Sequence, residues 1–347
     1  MFSLISQVLA ITQASSPIVV LWYRERRESK EVDTMGHKDF SFLKWSPSSS
    51  HIAIGTAKGT VLIYEMSSLS MKETSLRHKR RIACGDWNID QVLVYASEDK
   101  CIFTCNVNGD AIDQVKVKSR PLTCKFGGTD SAPGSIVSFN MEGKTILLYS
   151  LLEKDALELA FQRRYGTIVN YEWFGECIVA GFSSGRIVMI STKPEEVGRE
   201  QYCSKVHENE LRDIALCRAN NLIASCSDRC VKLVDMLTWR KVRSFVGSGD
   251  DQFEKLTWSE DGKHLSVSSK NGCLFTFHNN YDRDEKPGMA STRNLTAVAA
   301  FTMPISVASF VASLAVALTM FVICAARYFE VSVFEFLDAA LIDVAAF

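Results

Sequence analysis

Apolar and polar residues alternate in short runs over most of the chain, broken by small or glycine-containing turns. Residues 51–65 read HIAIGTAKGTVLIYE. Two β-prone runs, 52–56 and 60–64, flank Lys58 and Gly59, where glycine supplies the backbone freedom a tight reversal needs. The pattern predicts a hairpin, and it recurs. Comparable units occupy residues 40–65, 81–106, 121–150 (a looser copy), 168–192, 211–235 and 253–278. Their second-turn positions are Gly59, Lys100, Gly143, Gly185, Arg229 and Gly272, a period of about 41 to 44 residues. An upstream aromatic keeps step at Trp45, Trp87, Phe126, Trp173 and Trp258, and only the unit with Leu216 and Cys217 lacks one.

Each unit has a strand ending at the aromatic, a polar turn, a small-residue strand, a tight turn and a bulky apolar strand. Runs such as 61–64 and 187–190 do not alternate strictly, as expected of strands packed on both faces. Ala53–Gly55 and Val179–Gly181 suit the crowded inner part of such a sheet. This predicts an all-β WD-repeat β-propeller with six complete blades plus a partial first one, spanning 8–279. Histidines precede several units (His37, His78, His207), and acids stand at second turns (Glu98 and Asp99; Asp228). They recur at one blade position, whereas a catalytic set occurs once, so they are read as hydrogen-bonded braces. Residues 8–23 resemble only the last two strands of a blade. Either a composite blade closes the ring, or the natural beginning is missing.

The two ends depart from the repeat. Residues 2–11 resemble a weak signal-peptide core without a preceding basic residue, but strands at 8–12 and 18–23 are the preferred reading. A polar linker is expected over 280–296 and a hydrophobic, helical tail over 297–347. No charged residue lies between Arg293 and Arg327, and 301–326 is long enough to span a bilayer as a helix. Arg283, Lys286 and Arg293 before it, and Glu330, Glu335 and Asp338 after it, would keep the propeller cytosolic. The sequon at Asn294–Thr296 is then expected to stay unused. The preferred alternative is a misjoined or read-through segment in place of further propeller.

Charge adds an exclusion. Thirty-nine basic and forty acidic residues leave a formal net charge of −1, which offers no nucleic-acid footprint. The densest basic run, 77–81 (RHKRR), reads as a solvated loop, with a phosphate or lipid-headgroup contact as the alternative. The 11 cysteines are odd in number and sit in strand-like runs, which argues for free thiols in a reducing compartment. Cys101/Cys105 and Cys226/Cys230 are each four apart, placing both members on one strand face, with no partner motif for zinc. A Gly-x-Ser-x-Gly elbow, a His-Glu-x-x-His helix, a phosphate-cradling loop and a carboxylate pair are all read as missing. No catalytic, cofactor-binding or metal residue is therefore expected, no cofactor, and no enzyme.

The wording of the blades is specific. FSFLKWSPSSSHIAIGTAKGTVLIYE, HKRRIACGDWN, YGTIVNYEWFGECIVAGFSSGRIVMIST and TWSEDGKHLSVSSKNGCLFTF resemble the amino-terminal propeller of the WD-repeat-protein-nineteen family of intraflagellar transport complex A. The resemblance covers roughly residues 8–277. It implies a non-enzymatic scaffold at the cilium or ciliary base, partnered by other complex A subunits and cargo adaptors. Retrograde transport, cilium assembly and import of membrane cargo are the implied roles. The family pattern continues into a second propeller and a helical-repeat tail, and nothing beyond Arg293 matches it, so the chain is expected to be truncated at both ends. The alternative is a propeller anchored to the membrane through 301–326 that regulates a small GTPase or vesicle traffic. Against it, no long loop projects from an early blade.

Overall fold

The computed structural model describes residues 2–3, 8–12, 16–23, 25–129, 132–247, 252–259, 261–270, 273–278 and 300–302. They form seven four-stranded antiparallel sheets, each with its strands in sequence order. The fold is that of WD β-propeller blades. Contacts divide the chain into two units, residues 1–205 with five sheets and 206–346 with two.

The hairpin that opens the pattern is His51–Thr56 paired with Val61–Glu65, the middle of the second sheet. Its first strand, Phe40–Trp45, and its last, Ser70–Glu73, complete it. The corresponding first strands of the third, fourth and fifth sheets are Ile82–Trp87, Pro121–Thr129 and Ile168–Phe174, and consecutive first strands touch. These are the inner strands. In the second unit, Leu211–Cys217 and Phe253–Trp258 are in contact in the same way.

The core lies between sheets. Ile52, Ile54, Leu62 and Tyr64 pack with Val8, Val19 and Leu21 of the first sheet. Ala53, Val61 and Ile63, on the opposite face, pack with Trp87, Leu93 and Tyr95 of the third. Alternate residues of one strand thus enter two different cores, which is why these strands are apolar on both sides. In the second unit Ala224, Cys226 and Leu233 pack with Phe253, Leu256 and Val267.

The first sheet carries four strands where the sequence shows two. Val8–Thr12 and Ile18–Tyr23 pair as expected, flanked by Phe2–Ser3 and Glu28–Asp33. Outer strands such as Glu28–Asp33 and Ala111–Lys116 are polar and largely exposed, so they lack the apolar run by which the inner ones are recognised.

The candidate membrane helix over 301–326 is corrected at its start. Phe301 and Thr302 belong to a strand, Ala300–Thr302, paired with Cys273–His278 as the last strand of the seventh sheet. Residues 303–326, like all of 280–296 and the rest of the tail after Thr302, lie outside the described residues. No helix among the described residues is long and apolar enough to cross a membrane.

Candidate functional site

The second-turn positions take the backbone form their spacing suggests. Gly59, Lys100, Gly143 and Gly185 have φ of +86°, +66°, +73° and +81°. Arg229 does not share it, and Gly272 lies outside the described residues. At Gly59 the need for glycine is steric as well. A Cβ there would sit 2.3 Å from the His78 carbonyl oxygen, whose residue donates its own N–H to the Gly59 carbonyl at 2.9 Å.

The recurring histidines do three different jobs. His78 Nδ1 lies 3.0 Å from both Asp99 carboxylate oxygens, which also accept the N–H groups of Lys79 (2.8 Å) and Cys101 (3.0 Å). The imidazole stacks on Phe103, centroids 3.9 Å apart, and is buried. Burial pulls its pKa below the ordinary histidine value, with Asp99 opposing, so the ring is neutral near neutral pH. This is the expected brace. His207 is also buried, but its Nε2 meets Ser225 Oγ at 2.8 Å while Asp228 pairs with Arg212. Burial, with Lys232 nearby, lowers the His207 pKa to about 4. His37 sits 2.8 Å from Glu73, on the outer strand of the second sheet.

The repeating aromatic ties one sheet to the next, which its sequence spacing alone does not reveal. Trp87 Nε1 donates to the Lys44 carbonyl (3.2 Å) and Trp258 Nε1 to the Ala215 carbonyl (3.1 Å), each reaching back to the preceding inner strand. Trp173 Nε1 donates to Ser138 Oγ at 2.8 Å. Carboxylates reach the other way. Asp86 accepts the Phe126 N–H at 3.0 Å and Asp213 the Leu256 N–H at 3.1 Å. Lys44 pairs with Asp86 at 3.1 Å, and that carboxylate holds the Lys44 ammonium above its ordinary pKa; Lys125 pairs with Glu172.

One correction concerns catalytic spacing. Residues 181–185 do spell Gly-Phe-Ser-Ser-Gly. A nucleophile elbow joins a strand to a helix. Here the segment is the turn between strands Cys177–Phe182 and Arg186–Ser191, and Ser183 Oγ accepts the Thr167 N–H at 3.0 Å. The cysteine pairs also differ from each other. Cys101 and Cys105 share a strand, whereas Cys226 and Cys230 lie on the two strands flanking residues 228–229. The ten described cysteines are free, and burial pushes the Cys105 thiol up to about 12.

A cavity of about 340 Å³ opens between the third and fourth sheets, at the end carrying their first turns. Asn88, Val92, Thr104, Ile112, Leu151 and Leu152 line it. Asn88 Nδ2 donates across it to the Gly134 carbonyl at 3.3 Å. Its polar edge is fixed by Asp113, which accepts from Lys154 (2.8 Å) and Tyr149 (2.7 Å), and the Lys154 bond holds that carboxyl below its usual range. Around the mouth, Ile89, Ile112 and Leu152 are 58%, 53% and 75% exposed. Exposed branched apolar side chains beside a shallow niche suit the apolar anchors of a protein partner.

The comparisons with known proteins agree on fold and family. The family model described as WDR19 first beta-propeller matches residues 5–272. WD repeat-containing protein 19 of Mus musculus is 34% identical over 279 residues, 78% of this chain and 21% of that protein. WD repeat-containing protein dyf-2 of Caenorhabditis elegans is 26% identical, over 78% of this chain and 20% of its own length. The chain thus spans about a fifth of these relatives. Among solved structures, the carboxy-terminal WD40 domain of Sif2 superposes with a TM-score of 0.63 at 15% identity, covering 78% of each chain.

Proposed function

The chain belongs to the WD repeat-containing protein 19 family, in the region of its first β-propeller, and from that premise we propose a non-enzymatic scaffold module of intraflagellar transport complex A. In this reading it supports retrograde ciliary transport, cilium assembly and ciliary import of membrane cargo. Its partners are other complex A subunits and cargo adaptors, and it works on the cytoplasmic side at the cilium or ciliary base. The observation that carries the proposal is the family match across residues 5–272. The site chemistry supports it: the repeating polar and aromatic side chains brace loops and neighbouring strands, and exposed apolar side chains stand around a niche between two sheets.

The test is immunoprecipitation of the tagged chain, at native expression level, from ciliated cells. Recovery of complex A subunits is expected. Recovery of none, with the chain soluble and folded, contradicts the proposal.

A further inference from the structure

The first unit sorts its charge by face. In a four-stranded blade, the turn between second and third strands lies at the same end as the connection to the next sheet. Hydrogen bonds join these loops: His78 N–H to the Gly59 carbonyl (2.9 Å), Glu98 N–H to Arg81 (3.1 Å), Glu142 N–H to Arg120 (3.0 Å) and Ile168 N–H to Gly143 (2.7 Å). The result is one continuous surface over the second to fifth sheets.

That surface is basic. Arg77, Lys79, Arg80 and Arg81 are all exposed on the connection between the second and third sheets, and they make no salt bridge among the described residues. Lys118 and Arg120 follow on the next connection, and Lys58, Lys100 and Lys144 project from the neighbouring turns. Three of the acids nearby are committed, while Asp39, on the connection into the second sheet, is exposed. Asp99 is held by His78 and two backbone N–H groups, Glu142 accepts the Arg120 N–H, and Glu98 faces Arg120 at 3.9 Å. The opposite ends of the same sheets expose Asp90, Asp110, Glu153 and Asp155. A net charge of −1 conceals this separation.

We propose that the basic face around Arg77–Arg81 docks on an anionic membrane surface. The charge is spread over loop tips of successive sheets, and the apolar cavity opens at the other end. A basic cluster can also read an acidic peptide segment, but such a segment would engage one loop, whereas this charge runs over the loops of several sheets. A headgroup layer needs only an extended positive surface within a Debye length, about 8 Å at physiological salt. The inference does not depend on the transport reading.

The test is sedimentation of the full chain with vesicles of phosphatidylcholine alone or mixed with phosphatidylserine. Binding to the mixed vesicles is expected, weakened by added salt. The combined variant Arg77→Ser, Lys79→Ser, Arg80→Ser and Arg81→Ser should lose about fivefold per residue, with an unchanged melting midpoint. Lys72→Ser with Lys193→Ser, both off that face, should bind as the parent does. Equal binding to neutral vesicles, or full binding by the fourfold variant, would overturn the proposal by assigning contact to another part of the chain. So would capture of a polyglutamate peptide without vesicle binding, which would point to an acidic protein instead.

Discussion

Gly59 shows how much one position can carry. Its φ is left-handed, and a Cβ would collide with a backbone oxygen that has no rotamer to yield. Gly59→Ala is expected to cost about 3 kcal/mol or more, read as a shift of the denaturant midpoint. His207 makes a second prediction at this scale. Its folded pKa of about 4 lies below the unfolded value near 6.5. Below that unfolded value the unfolded chain therefore binds more protons, and stability falls with pH. The loss should run from about pH 6.5 down to about pH 4 and approach about 3 kcal/mol. His207→Gln should flatten the curve in that window when stability is measured by denaturant titration. An unchanged curve would remove His207 as its source.

Between elements, the decisive contacts are ties from each inner strand to its neighbour. Trp87→Phe replaces the buried indole with a smaller phenyl ring and removes the donor to the Lys44 carbonyl, at an expected cost of about 2 kcal/mol or more. Gly127→Ala acts from the other side. Its Cβ would lie 2.1 Å from the Trp173 ring, whose indole is anchored to Ser138, and overpacking of this kind costs about 1–3 kcal/mol. Both are checked by thermal or denaturant unfolding. The inner three strands of most sheets were legible because double burial makes them apolar and the aromatic marks their period. The outer strands were not. Glu28–Asp33 and its counterparts face water and pair on one side, so only the backbone registers them. The role of the aromatic was likewise hidden, because its partner lies about one repeat away and is a backbone carbonyl for Trp87 and Trp258 and a serine hydroxyl for Trp173. Histidine was legible as a brace at His78. It misled as a uniform network, since the partner depends on which polar residue the local turn presents.

For the chain as a whole, fold and family were readable from the repeat and the wording of its blades. The surface was not, because function there depends on which loops come together. The run at 77–81 reads in isolation as a solvated loop, and its neighbours Lys58, Lys100 and Lys118 join it only through the blade topology. Ile89, Ile112 and Leu152 are similarly scattered in sequence and gathered at one cavity mouth. The most direct test of the scaffold account compares the parent chain with Ile89→Asp combined with Leu152→Asp in ciliated cells. Both positions are exposed, so the fold should be retained, with a melting midpoint within about 0.5 kcal/mol of the parent in stability terms. Mass spectrometry of the purified material is predicted to find complex A subunits with the parent and at least a tenfold depletion, roughly 1.4 kcal/mol of binding, with the variant. Equal recovery by both would contradict the placement of the contact at this cavity, and absence of complex A subunits from the parent itself would contradict the scaffold function.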